Sequence, residues 1–189
     1  MFLLVRIVLT GSPATGKTAV ALGLASFLGC PCISANELAF KIGAAKKLKS
    51  GGKAEKEFTV DLKKLQHALA AIFLKQKNVV AEGHLLCEFA LPANVVVVLR
   101  ADPRILLKRY AKRGYPRKKA VANVLVEVLD YCLIEAEEHY GANKVMQLDL
   151  SKKVSPAKIL GKIRRRKGDA VDWSEMLTKS PLSRLAAAS

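Results

Sequence analysis

The stretch "VLTGSPATGKTAV", Val8 to Val20, decides the fold. Gly11, four intervening residues, Gly16, Lys17 and Thr18 reproduce the spacing of a phosphate-binding loop. The loop also sits where it must, after the apolar run Leu3 to Thr10 and ahead of a helical pattern. Gly11 and Gly16 permit backbone conformations that turn successive N–H groups toward phosphate oxygens, and the following helix adds the positive end of its dipole. Residues Gly11, Ser12, Pro13, Ala14, Thr15, Gly16, Lys17, Thr18 and Ala19 are therefore expected to hold a nucleoside triphosphate. Lys17 is the mobile cation for the β- and γ-phosphates, and Thr18 offers a hydroxyl to Mg2+.

Working outward, Leu3–Leu9 reads as the first strand, Gly16–Leu28 as the first helix and Cys32–Ser34 as a short second strand. Ala35–Leu48 and Leu62–Lys75 have helical spacing, and "KSGGKAEKEFTV" between them reads as an exposed loop. "NVVAEG" (78–83) and "NVVVVLR" (94–100) are unbroken β-branched runs, as expected of parallel strands covered on both faces. Asp102–Lys112 and Lys118–Tyr140 read as helices around "RGYP", followed by a strand at Lys144–Leu150 and a helix at Pro156–Arg166. This alternation predicts an α/β fold with a doubly wound, five-stranded parallel sheet and helices on both faces. Beyond Lys167, Trp173 and Met176–Leu177 stand in a segment without long periodicity, read as a tail that docks or is partly disordered.

A phosphate loop calls for an acidic residue at the end of a neighbouring strand to hold the Mg2+ water shell. Glu82, closing "NVVAEGH", is the candidate. His84, two residues on, could face the same crevice and position or deprotonate an attacking water, or it could simply be a cap or core histidine. Arg109 and Arg113, four residues apart just before Gly114, fall on one helix face, either as a mobile lid that neutralises phosphate charge or as a solvated basic surface. Arg100 ends a strand on the crevice side, where it could touch phosphate or pair with an acidic residue such as Glu82.

With 189 residues, 51% apolar and 25% charged, the chain has room for one buried core and not for two full domains. The N-terminal apolar run is interrupted by Arg6 and is too short to span a membrane, so a cytoplasmic protein is expected, with a nuclear location open if the source is eukaryotic. Cys30, Cys32, Cys87 and Cys132 lack paired metal-ligand spacing and read as reduced, buried thiols. Lysine and arginine total 32 against 16 acidic residues, a net charge of +16. The excess is clustered, with 8 basic and 3 acidic residues in 41–64, 9 and 1 in 100–119, and 10 and 3 in 151–189. Such a surface attracts polyanions, although a merely solvated surface has the same composition.

The set "GSPATGKT", "AEGH", "VVLRADPRILLKRYAKRGY" and "EVLDYCLIEAEEHYG" resembles the small adenylate kinase-like ATPases of small-ribosomal-subunit assembly, whose eukaryotic members include the coilin-interacting nuclear ATPase. The resemblance runs from Val5 to about Arg166, and "DWSE" (172–175) is similar to the tail of archaeal members. It implies a P-loop nucleoside-monophosphate-kinase fold over residues 1–167, with an NMP-binding insert at about 35–64, a lid at about 109–119 and a tail at 168–189. It further implies Mg2+-dependent adenylate kinase activity (ATP and AMP to two ADP), ATPase activity and a small-subunit platform ribosomal protein as partner. By position it gives ATP and Mg2+ to the loop through Thr18, the acid and histidine roles to Glu82 and His84, and lid duties to Arg109 and Arg113.

Three positions depart from that pattern. Ala14 stands where relatives often have glycine, and Phe40 where some carry an arginine suited to the monophosphate. "EGHLLCEF" also lacks the arginine that adenylate kinases place after the acidic strand end. A charged hydrogen bond to phosphate contributes roughly 1.5–3 kcal/mol, so weak AMP capture is expected, with water competing as acceptor. Two other readings stay open: an ATP-gated assembly chaperone that binds a ribosomal protein or rRNA, and a kinase for another small acceptor.

Overall fold

The computed structural model of the chain describes residues 5–47 and 58–176. The first two residues of the expected N-terminal strand, most of the expected loop at 49–60, and the tail from Leu177 onward lie outside the described residues. Strand β1 (Val5–Thr10) is the middle of a five-stranded, wholly parallel sheet. Its neighbours are β5 (Asn78–Glu82), in register Leu9 with Glu82, and β6 (Val95–Arg100), in register Thr10 with Val98. Strands β2 (Cys32–Ser34) and β7 (Val145–Asp149) are the edges, beside β5 and β6 respectively. The strand order thus reverses direction at β1, which opens a crevice at its C-terminal end.

Alternate residues of the central strands face opposite layers. Ile7, Leu9, Val97 and Leu99 pack under α1 (Lys17–Leu28) and α7 (Pro156–Arg164). Val8, Val96 and Val98 pack under α3 (Leu62–Lys75), α6 (Tyr131–Tyr140) and the short α2 (Ala35–Lys41). Every residue of β6 is buried, which explains its unbroken valine run. A third cluster joins α4 (Pro103–Lys112) to α5 (Arg117–Val128) over Ala14 of the loop, with Trp173 and Met176 packed against it. The segment after Lys167 is bound to β7 as well, since Asp169 N–H donates to the Gln147 carbonyl and the Asp169 carboxylate pairs with Lys162. Among the described residues, no helix is long and apolar enough to cross a membrane.

Two of the expected helices are revised. The helix predicted over Ala35–Leu48 ends at Lys41, because Gly43 turns the chain at φ +65° into β3 (Ala45–Lys47), which pairs antiparallel with β4 (Phe58–Val60). The long helix predicted over Lys118–Tyr140 is two helices, α5 and α6, broken at Asp130 with φ +56°. Aspartate tolerates this left-handed conformation better than most residues, and its carboxylate is held there by Arg100.

Candidate active site

The loop closes tightly around its own backbone. At Gly11, φ is +129° and a Cβ would lie 2.3 Å from the Leu99 carbonyl oxygen, so only glycine fits. Gly16, at φ +107°, forms the N-cap of α1, which leaves the helix's first N–H groups pointing into the loop. Lys17 folds back so that Nζ donates to the carbonyls of Gly11 (2.8 Å) and Ser12 (2.9 Å). Burial pushes its ammonium down to about 8, while Cys132, Glu82, Glu127 and Cys87 pull the other way. No carboxylate among the described residues forms an ion pair with Lys17. Ser12 Oγ is buried without a hydrogen-bond partner among the described residues, a polar atom of the kind a ligand oxygen satisfies.

Thr18 and Glu82 come from opposite sides of the crevice, the first turn of α1 and the end of β5. The Thr18 hydroxyl donates to Glu82 Oε1 at 3.2 Å. Glu82 is 7% exposed, and a buried carboxylate beside a hydroxyl is a set of hard oxygen donors that suits Mg2+. His84 follows in a one-turn 3-10 helix (His84–Cys87), its carbonyl accepting from Thr10 Oγ1 at 3.3 Å. Burial first, and the nearby Lys17 charge second, push the His84 imidazole down to about 4. It is therefore neutral at physiological pH.

Two cavities meet at this loop. The first, about 700 Å³, is lined by Thr15, Gly16 and Ala19 of the loop side and by Arg109, Arg113 and Leu150 opposite. The second, about 870 Å³, is lined by Pro13, His84, Phe40, Phe58, Lys119 and Tyr131, with Cys132 also on its wall. Phe40 and Phe58 meet edge to face with ring centroids 4.8 Å apart, and Tyr131 donates to Glu88 at 2.8 Å. Arg109 is a strut as well as a wall. Its Nη1 donates to the Ala14 carbonyl at 3.0 Å and its Nη2 to the Leu150 carbonyl at 3.0 Å. Arg113 caps the C-terminus of α4 on the same cavity, exposed to solvent.

Sequence reasoning left Tyr110 and Glu127 unnoticed. Tyr110, buried beside Arg109, donates to the Pro13 carbonyl at 2.7 Å and fixes the loop crest. Among the described residues Arg100 hydrogen-bonds neither to the phosphate loop nor to Glu82. It is buried and bonded to Glu127 Oε1 at 2.6 Å and Gln147 Oε1 at 2.6 Å, and it pairs with Asp130, so it pins the α5–α6 junction to the sheet. A carboxylate at 127 amid the buried Val124 and Val128 was the available signal, since buried acids demand partners.

A parallel sheet that delivers a glycine loop to a helix N-terminus, with a cavity on either side, defines the P-loop kinase class of α/β proteins. Solved structures share the fold at low identity: shikimate kinase from Acinetobacter baumannii in complex with shikimate (TM-score 0.57, 18% identity, 88% of this chain and 97% of that one), and a gluconokinase from Sinorhizobium meliloti (TM-score 0.54, 16% identity, 100% and 97%). A family model described as "AAA domain" matches residues 7–130. The chain is 37% identical over 176 residues to the "Putative adenylate kinase" of Thermococcus kodakarensis, covering 90% of this chain and 93% of that one. The same name belongs to a Methanocaldococcus jannaschii relative at 32% identity over 180 residues, with 90% and 93% covered. The chain belongs to this nucleoside-monophosphate-kinase-like family.

Proposed function

We infer that the chain is a Mg2+-dependent adenylate kinase that transfers the γ-phosphoryl group of ATP to AMP, with slower hydrolysis of ATP. The observation that carries this reading is the pair of cavities flanking one phosphate loop, of about 700 and 870 Å³. A nucleotide-gated switch needs one nucleotide pocket; a transferase needs donor and acceptor pockets that converge on the same phosphoryl group. The Arg109 side is the donor pocket, and the Phe40–Phe58 side is the acceptor pocket. On this reading residues 1–167 are the kinase domain, 35–64 its acceptor insert, 109–119 its lid and 168–189 a tail.

Each residue then has a task. Backbone N–H groups of the loop from Gly11 through Ala19, all but that of Pro13, which has none, bind the β- and γ-phosphates, and Lys17 exchanges its loop carbonyls for phosphate oxygens. Thr18 and Glu82 would hold Mg2+, Glu82 partly through water; bound there, the metal neutralises charge developing on the phosphates. Arg109 and Arg113 border the triphosphate path and stabilise the transferred group. A base with its pKa near 4 is inefficient at neutral pH, so His84 orients a water or the acceptor by hydrogen bonding rather than by taking a proton.

A second reading, rRNA or platform-protein binding during small-subunit maturation, with the cytosol as the place of work, draws on the clustered +16 charge. The test of the first reading is product analysis with Mg-ATP and each nucleoside monophosphate, with Lys17→Ala protein subtracted for contamination. ADP in excess of inorganic phosphate only with AMP is expected. Equal ADP and inorganic phosphate whatever acceptor is added would overturn the kinase. Steep salt-dependent binding to small-subunit RNA is the expectation specific to the second reading.

A further inference from the structure

The two cavities differ in charge as well as in position. Arg109, Lys112, Arg113, Lys152 and Lys153 line the donor cavity, and among the described residues no acid does. The acceptor cavity carries one charge of each sign among the described residues: Lys119, in the first turn of α5, and Glu88, which caps the 84–87 turn. Both are half-buried. Neither forms an ion pair among the described residues, with the other or with any third group. Opposite charges that share a wall without meeting suit a ligand with two unlike ends.

The fold keeps the two apart. Lys119 stands near the start of α5 and Tyr131 just past its end, with roughly 14 Å of helix axis between Lys119 and Val128. Tyr131 donates to Glu88 Oε1 at 2.8 Å and so ties the acid to that far end. The bond to Glu88 first, and burial second, push the Tyr131 phenol above its ordinary value, so it stays a donor and occupies one carboxylate oxygen. Oε2 has no hydrogen-bond partner among the described residues. The Lys119 end is instead the loop end. Tyr115, on the same cavity wall, has its ring centroid 5.1 Å from that of Tyr110, whose hydroxyl grips the Pro13 carbonyl. An acceptor nucleotide must bring its phosphate to the loop, where Lys119 attracts it. Its nucleoside then lies toward Glu88, where a carboxylate repels phosphate and accepts from N–H and O–H groups.

We propose that Lys119 and Glu88 are the two poles that orient the acceptor: Lys119 holds its monophosphate, and Glu88, braced by Tyr131, accepts a hydrogen bond from the nucleoside, given by the base amino group or a ribose hydroxyl. The proposal deepens the adenylate kinase reading and rests on it. A single lysine binds a phosphate less firmly than the arginines expected at such a site, so selection falls on orientation as much as on attraction. An acceptor that enters the wrong way round sets its phosphate against Glu88, and that repulsion is a specificity element in its own right.

The experiment uses the full chain and three acceptors: AMP, 2′,3′-dideoxy-AMP, and purine riboside 5′-monophosphate, which lacks the 6-amino group. KM and kcat are measured with Mg-ATP, and Kd for each acceptor by calorimetry. Lys119→Gln should raise KM about tenfold for all three acceptors and leave KM for ATP in place. Glu88→Ala should raise KM about tenfold for AMP and leave unmoved the one analogue that lacks the donor. If purine riboside monophosphate escapes, the donor is the base amino group; if the dideoxy nucleotide escapes, it is a ribose hydroxyl. A purely structural Glu88 would give all three acceptors the same rise, and that result, or no rise for AMP, would overturn its role. An unchanged KM for AMP in Lys119→Gln, or an equal rise for ATP, would overturn the phosphate pole. If wild-type protein binds AMP and makes no ADP, it is the kinase reading that has failed, and the same ratios taken in Kd still decide the two poles. Wild-type protein that binds none of the three overturns both.

Discussion

On one side of the phosphate loop the chain leaves itself no choice; on the other it assembles a pocket from distant pieces. The loop that floors the donor side is made of consecutive residues, with Gly11 pressed against the Leu99 carbonyl, Lys17 bonded to the loop's own carbonyls, and Arg109 and Tyr110 of α4 clamping Ala14 and Pro13 from outside. The acceptor side draws Phe40 from α2, Phe58 from β4, His84 from a 3-10 turn, Lys119 from α5 and Tyr131 from α6. A loop fixed by local conformation tolerates little change in its functional atoms. A wall gathered from five segments is instead vulnerable at the points that hold the segments together.

The largest effect is expected on the donor side. Lys17→Ala removes the charge aimed at the phosphates and should lower turnover about a hundred- to a thousandfold, roughly 2.7–4 kcal/mol, as read by steady-state ADP formation. Intact turnover and ATP binding in that variant would end the phosphate-loop assignment. The pH dependence has two opposite signs. Lys17 titrates at about 8 when folded and near 10.5 when unfolded, so over that interval the unfolded chain binds more protons and stability rises with pH. ATP affinity, which needs the ammonium, should instead weaken as pH rises through about 8 and beyond. Both trends should vanish in Lys17→Ala.

The next prediction breaks the acceptor wall alone. Glu127→Gln leaves the buried Arg100 guanidinium short of a charge partner where the α5–α6 junction meets the sheet. Losing one partner of such a pair destabilises by about 3 kcal/mol, or roughly 6–12 °C in Tm for a domain of this size. Residual folded protein should show a raised KM for AMP and a near-normal KM for ATP. Equal damage to both would mean that the two sides are not built separately.

That contrast also explains what could be read from the sequence. The five strands, their parallel arrangement and the loop's position follow from local patterns: β-branched runs, glycine spacing and a helix start at Lys17. Thr18 and Glu82, 64 residues apart, were placed at one crevice by the rule that strand ends face it, and their side chains are hydrogen-bonded. The acceptor wall was largely illegible. Helical spacing continues past Lys41, and only the left-handed turn at Gly43 sends the chain into β3. Arg100 ends a strand at the crevice, as its position predicts. Its side chain nevertheless answers to Glu127 and Asp130, acids that look like ordinary positions of one long helix until Asp130 breaks it.

A smaller effect separates transfer from hydrolysis. On the proposed role, in which the neutral ring places a water that AMP displaces, His84→Ala should reduce phosphate release without acceptor by about tenfold and ADP formation with AMP by less. With its imidazole near 4, His84 should add no inflection to the rate profile between about pH 5 and 8. Equal losses in both reactions would remove the water-specific role.

The smallest effect belongs to the one irregular donor position. Ala14 holds φ +62°, a left-handed conformation that disfavours a Cβ by about 1–2 kcal/mol. Relief of that strain in Ala14→Gly is opposed by the extra freedom of glycine in the unfolded chain, about 0.4–1 kcal/mol. It is opposed also by loss of a methyl that is only 8% exposed, worth about 0.8 kcal/mol. The terms nearly cancel, so denaturant unfolding should shift by less than about 1 kcal/mol, and ATP affinity should not move, because Arg109 and Tyr110 grip backbone carbonyls that the substitution leaves in place. A weakened ATP affinity would show that the Cβ of Ala14, not those two struts, keeps the loop in its binding shape.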